Sequence, residues 1–203
     1  MTEAKSVKTG IGGIVFKIIS RLENSLDTSS TRATLANLRN SIGRDIETSV
    51  EIWPFIYEHM PEEFLSKSGK LTAEERAIIT TLQLYAVHQQ GQAITVNENE
   101  RDRYANIGNA LKLLRTGDNT KAIDRRFNAM ITASTYNELE NHLRYLVKLV
   151  RSKGKGTIRI NYSRLANDLF WYQLGKSQAI KLSWGRSYYS QVNSPKEETN
   201  HEQ

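Results

Sequence analysis

The segment TYNELENHLRYLVKLVR, residues 135–151, carries the clearest helical pattern in the chain. Its large apolar side chains recur at steps of four, three and four, which places them on one face of an α-helix. They are Leu139, Leu143, Leu146 and Val150. Thr135 and Glu138 have the spacing of a capping box, in which the hydroxyl accepts from the third backbone N–H and the carboxylate reaches back. The segment therefore predicts an amphipathic helix that begins after Thr135.

A second face of this predicted helix is basic, and the chain stays basic beyond it. From Arg144 to Arg164 there are seven basic residues and no acidic one. These residues are Arg144, Lys148, Arg151, Lys153, Lys155, Arg159 and Arg164. Most charge runs are solvated faces, but such faces usually mix both signs. We interpret this one as a surface that contacts a polyanion such as nucleic acid.

The charge of the whole chain is unevenly distributed. The 203 residues have a net charge of +6, and they are enough for one large domain or two small ones. Residues 45–100 carry three basic and ten acidic residues, whereas residues 101–190 carry seventeen basic and six acidic ones. This asymmetry favours a protein that binds an acidic polymer with one side while the other side meets solvent or a protein partner.

Several classes of protein are disfavoured by the composition. The chain has no cysteine, which excludes disulfides, thiolate catalysis and cysteine zinc sites and fits a cytoplasmic location. Its apolar runs are shorter than the roughly 20 residues that cross a bilayer, and the N-terminus lacks a secretory pattern. The four histidines are scattered, and there is no phosphate-binding glycine loop or nucleophile motif. We therefore predict a protein that is not an enzyme, with no metal and no cofactor.

Helical periodicity recurs along most of the chain, which predicts an all-α fold of about seven to nine helices. We predict two packed helical halves, residues 11–100 and the basic residues 101–190, followed by a disordered tail at 191–203. A flexible basic link is expected at 152–157 and an extended segment at 158–160. Besides the helix after Thr135, the predicted helices cover residues 14–22, 31–42, 49–60, 72–90, 103–115, 120–134, 163–172 and 180–189, with Thr31 and Thr72 as N-caps.

Four large aromatic residues lie among aliphatic ones in the sequence. They are Trp53, Phe127, Trp171 and Trp184. Aromatic residues in such surroundings belong to the core more often than they provide platforms for stacking bases. We therefore predict that these four are packed in the interior.

Short motifs along the chain occur in an order that resembles one protein family. The motifs are LR at 38–39, WP at 53–54, IGNAL at 107–111, RRF at 125–127, HLRYLV at 142–147, NYSRLANDL at 161–169 and LSWGRSYY at 182–189. The sequence resembles the small CasB-type subunit of the type I-E CRISPR Cascade surveillance complex. The resemblance extends from about Leu35 to Tyr189.

This resemblance implies an all-helical, non-catalytic protein that assembles with other Cascade subunits, namely the large subunit, the repeated backbone subunits and a second copy of itself. It also implies contact with the R-loop of crRNA and target DNA, and with single-stranded DNA, but not with a membrane. The basic surface of the family matches Arg39, Arg125, Arg126, Arg144 and Arg164. The chain departs from the family at Asn109, where the family often has arginine, and Lys112 and Arg115 lie one turn on to compensate.

The predicted nucleic-acid-binding residues are Arg39, Arg44, Lys112, Arg115, Arg125, Arg126, Arg144, Lys148, Arg151, Lys153, Lys155 and Arg164. Two other readings of the sequence remain open. The first is a stand-alone helical regulator that binds DNA or RNA, which would need a recognition helix in the major groove. The second is a purely structural adaptor that binds protein through its aromatic and acidic surfaces.

Overall fold

The structure, a computed structural model, describes residues 10–98 and 105–190. Within these residues it is built from α-helices and short 3-10 turns, so the predicted all-α fold is confirmed. The helices are α1 (Ile11–Glu23), α2 (Ser29–Asn40), α3 (Trp53–Tyr57), α4 (Ala73–Gln89), α5 (Ile107–Lys112), α6 (Thr120–Ile131), α7 (Tyr136–Gly154), α8 (Tyr162–Trp171) and α9 (Ser177–Tyr189). The predicted tail at 191–203 lies outside the described residues.

Helix α4 is the central element. Its N-terminus is a complete capping box, as predicted: the Thr72 hydroxyl accepts from the backbone N–H of Glu75 at 3.0 Å, and the Glu75 carboxylate accepts from the backbone N–H of Thr72 at 2.8 Å. It stops before Gly91, whose φ of +76° suits a residue without a Cβ. Side chains on almost every side of α4 are buried, because the helix packs against α1, α2, α7 and α8.

The two predicted halves pack closely against each other. One hydrophobic core runs through both, and α1 and α4 of the first half pack on α7 and α8 of the second. Gly12 lets α1 approach α8, because a Cβ there would lie 2.7 Å from the carbonyl oxygen of Ser163. Gly108 does the same for α5 and α9, since its Cβ would collide with the carbonyl of Trp184. The exact boundary between the halves stays a prediction, and residues 99–104 around it lie outside the described part.

Two predicted helix starts were wrong, and in both cases a nearby side chain is the actual N-cap. Thr28, not Thr31, caps α2 by accepting from the backbone N–H of Thr31 at 3.2 Å. Thr31 is buried and shares a hydrogen bond of 2.7 Å with Ser25 instead. For the helix predicted from residue 103, the first predicted residues lie outside the described part, and residues 105–106, which are described, are not helical. Helix α5 begins at Ile107, because the Asn106 side chain accepts from the backbone N–H of Gly108 at 2.9 Å.

The connection from α7 to α8 is tighter than the predicted flexible link. Helix α7 continues to Gly154, and a hydrogen bond of 2.8 Å from the Thr157 N–H to the Gly154 carbonyl closes the turn. The following extended segment is confirmed. The Ile160 N–H donates to the Val96 carbonyl at 3.0 Å, and the Glu98 N–H donates to the Ile160 carbonyl at 2.9 Å. These bonds form one parallel bridge that ties the loop after α4 to the start of α8.

A π-helical turn at Tyr172–Lys176 links α8 to α9, and Gly175 adopts a φ of +82° within it. The turn redirects the chain so that α9 packs on α5. Trp184 and Phe127 are fully buried and Trp53 packs against the core, as predicted. The prediction was wrong for Trp171, which is 41% exposed at the end of α8, where the Lys176 ammonium lies 3.6 Å from the centre of its ring.

None of the helices in the described residues is long and apolar enough to span a membrane. Residues 10–98 and 105–190 also contain no group of three or more side chains of the metal-binding types that could hold an ion.

Candidate nucleic-acid interface

The predicted binding residues are not gathered in one patch. Five of them lie where α2 and α7 flank α4, and we call this set the basic seam: Arg39, Arg44, Arg144, Lys148 and Arg151. Lys112 and Arg115 lie with Asp124 and Tyr188 in what we call the C-terminal corner, between α5, α6 and α9. Arg125 and Arg126 lie on α6, Lys153 and Lys155 at the end of α7, and Arg164 on α8.

The seam is organised by the C-terminal end of α4. The Arg39 guanidinium, from α2, donates to the Ala86 carbonyl at 3.2 Å. The Arg151 guanidinium, from α7, donates to the Val87 carbonyl at 3.4 Å and also binds the Gln90 side chain. Carbonyls in the last turn of a helix lack an intrahelical donor and carry the negative end of its dipole. One helix end thus holds two arginines from opposite halves of the chain.

The two guanidiniums of the seam repel each other. Burial, and then the charge of Arg151, lower the pKa of Arg39 below the usual arginine value. Within residues 10–98 and 105–190, neither arginine forms an ion pair with a carboxylate. Among the described residues, Asp27 lines the same cavity as Arg39 without forming an ion pair with it, so these two positive charges have no directly bonded carboxylate there. A bound phosphate would relieve this repulsion.

A cleft of about 640 Å³ continues the seam toward the start of α4. Arg144 lines one wall, where its guanidinium donates to the Asn141 side chain at 2.7 Å. Arg44 lines the other and forms an ion pair of 3.4 Å with Glu51, but the Arg44 side chain is 55% exposed and such a pair is weak in water. Within the cleft, Arg76 pairs with Glu140 at 3.2 Å. Lys70, Asp45 and Glu47 also line it, so acidic as well as basic side chains face this cleft.

In the C-terminal corner, by contrast, the basic residues are already engaged. Arg115 donates to the Asp124 carboxylate at 2.9 Å, and its guanidinium lies 5.2 Å from the ring centre of Tyr188. The Tyr188 hydroxyl donates to the same carboxylate at 2.6 Å. Partial burial raises the pKa of Asp124, but the hydrogen bonds from Tyr188 and Arg115 outweigh it and lower this pKa overall. Lys112 binds the Ser190 hydroxyl at 3.0 Å. We conclude that Arg115 holds the fold together at this corner.

Asn109, the position where the chain departs from the family that it resembles, also has a structural role. Its side-chain oxygen accepts from the backbone N–H of Asn106 at 3.2 Å and so completes the cap of α5. Arg164 is likewise engaged, by Asp168 at 3.0 Å. Asp168 is buried, its burial raises its pKa, and it also accepts from the Trp184 indole at 2.7 Å. The spacing of Arg164 and Asp168, four residues apart, is a signal for this ion pair that the sequence already contained.

The residues on α6 differ from each other. Arg125 is exposed and has no bonding partner among the described residues. The Arg126 guanidinium donates to the Ala122 carbonyl at 3.0 Å and lies 5.4 Å from the ring centre of Tyr145 on α7. Tyr145 is 51% exposed and lies between Arg144 and Lys148 in the sequence. We did not predict Tyr145 as a site residue, although an aromatic residue inside a basic run was visible in the sequence.

Lys153 and Lys155 are exposed at the C-terminal end of α7, which is the negative end of that helix dipole. Lys155 adopts a left-handed φ of +46° as the C-cap. The N-terminus of α7 differs from the predicted capping box in one hydrogen bond. Thr135 accepts from the Glu138 N–H at 3.2 Å, and the Glu138 carboxylate accepts from the N–H of Ser134 at 2.7 Å, one residue before the cap.

Comparison with known proteins agrees with the resemblance seen in the sequence. Residues 34–189 match the family model of CRISPR-associated protein Cse2. CasB from Thermobifida fusca superposes with a TM-score of 0.69 and 26% identity, covering 89% of this chain and 98% of that protein. A Cse2-family protein from Thermus thermophilus gives a TM-score of 0.62 at 21% identity, covering 87% of this chain and 98% of that protein.

A chain in the structure of a CRISPR RNA-guided surveillance complex has the same fold, with a TM-score of 0.66 at 18% identity and coverage of 88% of this chain and 93% of that chain. No curated protein matches the sequence significantly. The family model covers well over half of the chain, and the resemblance to a small CasB-type subunit is confirmed. This chain belongs to the Cse2 (CasB) family of CRISPR-associated proteins.

Proposed function

We propose that this chain is the non-catalytic small subunit of a type I-E Cascade complex in the cytoplasm, where its basic seam binds nucleic acid of the R-loop. Membership of the Cse2 family supports the place in the complex. One observation carries the binding role. Arg39 and Arg151 meet at the end of α4 with no carboxylate partner among the described residues, so a ligand phosphate is the missing counter-charge.

The proposed mechanism is electrostatic. Each lysine or arginine that neutralises a phosphate releases counterions, which gives affinity with little sequence preference. In another type of RNA-guided effector, the exchange of a DNA duplex for an R-loop is nearly balanced. A few phosphate contacts from the seam are therefore enough to favour the open state. In this mechanism the guide RNA reads the sequence, and the subunit holds the target strand and the displaced strand.

The proposed protein partners are the large subunit, the repeated backbone subunits and a second copy of this chain. The acidic residues of the first half outside the seam cleft are available for them: Glu58 and Glu62 are exposed and are not among the residues that line that cleft. Negative charge on this side disfavours nucleic acid and leaves it for protein contacts.

The test measures binding of the purified protein to labelled single-stranded DNA, RNA and duplex DNA over a salt series. A seam variant carries Arg144→Glu and Lys148→Glu. Its matched control carries Lys17→Glu on α1 and Arg186→Glu on α9, which changes the net charge equally at exposed sites outside the seam. We expect the seam variant to lose at least about tenfold in affinity at low salt, and its log–log salt slope for a single strand to fall by about 1.4, since each phosphate contact contributes about 0.7.

The result that would overturn the binding role is weak, salt-independent binding by the wild type, or equal losses in the seam variant and the control. Weak binding throughout would favour the adaptor, whereas strong base preference on duplex DNA would favour the stand-alone regulator.

A further inference from the structure

We infer that Tyr145 forms a stacking site for one unpaired nucleobase beside the basic seam, an inference that rests on the proposed function. The phenol ring lies on α7 next to Arg144 and one helical turn from Lys148. It is 51% exposed, although α7 buries its apolar side chains on the opposite side. The ring therefore contributes little to the core and remains available to a ligand.

The ring is held in place by a cation from the neighbouring helix. The Arg126 guanidinium lies 5.4 Å from its centre, and this guanidinium is itself fixed by the Ala122 carbonyl at 3.0 Å. A cation beside an aromatic ring is attracted to its electron-rich face. The contact orients the ring in advance, so that less side-chain freedom is lost when a base stacks on its solvent side.

The neighbours of the ring define the ligand. Lys148 is exposed and Arg144 is partly exposed, so both can contact the phosphates that flank a stacked base. Basic residues interleaved with an aromatic platform are the general arrangement for binding single strands, because every base has a face that can stack. Bases in a duplex already stack on each other and are not accessible. The site therefore selects unpaired DNA or RNA over duplex, without selecting a sequence.

The test compares Tyr145→Ala, Tyr145→Phe and a control, Trp171→Ala, by equilibrium binding and by the fluorescence of an oligonucleotide that contains 2-aminopurine. Trp171 is a matched control because it is also an exposed aromatic beside a cation, but lies at the end of α8. We expect Tyr145→Ala to weaken single-strand binding by about 5- to 100-fold, the range for loss of one base stack. Duplex binding by Tyr145→Ala should remain close to wild type, and so should single-strand binding by Tyr145→Phe and Trp171→Ala. The quenching of 2-aminopurine fluorescence that stacking causes should be lost only in Tyr145→Ala.

The inference is overturned if Tyr145→Ala binds single strands as well as wild type, or if it weakens duplex binding equally, which would mean that the ring only positions Arg126. Failure of the stacking site alone is recognisable, because the Arg144→Glu/Lys148→Glu variant would still lose affinity. Failure of the proposed function is recognisable when that variant also binds normally. Urea unfolding of each variant confirms that the fold is retained.

Discussion

The basic seam and the C-terminal corner both place arginines between helices, but they handle the charge in opposite ways. In the corner, Arg115 lies against Asp124 at 2.9 Å and beside the ring of Tyr188. In the seam, the partners of Arg39 and Arg151 among the described residues are backbone carbonyls and the amide of Gln90, and burial and then the charge of Arg151 lower the pKa of Arg39. In the corner the arginine is neutralised by a carboxylate, whereas in the seam two arginines repel each other.

In the proposed function, this difference separates an arginine that stabilises the fold from arginines that bind a ligand. An arginine with its own carboxylate has little to gain from a phosphate, because binding the phosphate would mean giving up an existing partner. Two arginines that repel each other gain on binding. Natural proteins tolerate such locally unfavourable arrangements mainly where function requires them.

The largest expected effect is a loss of stability in mild acid. Its cause is a buried histidine on α4, the helix that the seam arginines contact. His88 is fully buried, and burial together with the charge of Arg151 lowers its pKa from 6.5 to about 4. The unfolded chain therefore binds this proton more readily than the folded protein. Stability is complete above about pH 6.5 and falls as the pH drops toward 4, by about 3 kcal/mol in total.

Urea unfolding between pH 7 and pH 4 measures this loss. In His88→Gln, which keeps a hydrogen-bonding group near the Tyr162 hydroxyl, the loss over this range should be strongly reduced. The corner does not contribute in the same window, because the lowered pKa of Asp124 makes its stabilisation disappear only below about pH 4. An unchanged acid profile in His88→Gln would contradict the assignment.

Removal of the corner carboxylate should make the corner resemble the seam. Asp124→Ala leaves the buried Tyr188 hydroxyl and the Arg115 guanidinium without their acceptor, which costs about 2 kcal/mol of stability. The same change should strengthen single-strand binding, because Arg115 becomes unneutralised. Asp118→Ala, an exposed aspartate in the preceding turn, gives the same charge change and is the control. Equal behaviour of the two variants would remove the distinction between corner and seam.

A crossed pair of substitutions tests the division of roles directly. Arg115→Gln should lower the free energy of unfolding by about 1 kcal/mol and leave single-strand affinity within twofold. Arg144→Gln, at a partly exposed arginine of the seam, should leave stability within about 0.5 kcal/mol and weaken binding several-fold. Thermal melts give the stability of each of the two proteins, and binding isotherms give the affinity of each for a single strand. If both variants lose affinity equally, the ion pair in the corner does not exclude Arg115 from binding.

The smallest expected effect is the coupling between the two seam arginines. In a double-mutant cycle with Arg39→Gln and Arg151→Gln, removal of the first charge relieves the second. Each single variant already gains the full relief of the repulsion, whereas the double variant gains it only once, so the double variant should be less stable than additivity predicts, by about 0.5 kcal/mol at low salt and less at about 0.5 M salt. Urea unfolding of the four proteins gives the coupling. A zero coupling would show that the arginines act independently.

Local signals were enough to predict much of the fold. The capping box of Thr72 and Glu75 and the apolar stripe of α7 involve neighbours within one or two helical turns, so sequence spacing encodes them completely. The start of α2 was misplaced because Thr28, Ser29, Ser30 and Thr31 are all capable caps, and the choice depends on the turn before them. The order of family motifs identified the family, since it uses information from the whole chain at once.

The candidate site was less predictable, because the role of each basic residue depends on what faces it. Arg115 and Asp124 are nine residues apart, one in the loop after α5 and the other on α6, a spacing that carries no signal. The contacts of Arg39 and Arg151 with the end of α4 depend on how three helices pack. Arg164 is the exception, because its ion pair with Asp168 follows the four-residue spacing of a helix. Basic composition therefore indicated which residues to consider, and only packing showed which of them already have a carboxylate partner and which do not.

The close approach of α1 to α8 has a consequence for synthesis on the ribosome. Gly12 and Asn167, which form a hydrogen bond of 3.1 Å in this contact, are separated by 155 positions in the chain. At elongation rates of roughly 5–20 residues per second, α1 waits about 8–30 s before α8 has been made. During this interval its apolar residues, such as Ile14 and Ile18, cannot yet pack against α8. They can then aggregate with other chains or bind a chaperone. The first of the described helices to be synthesised is thus among the last to be fully buried.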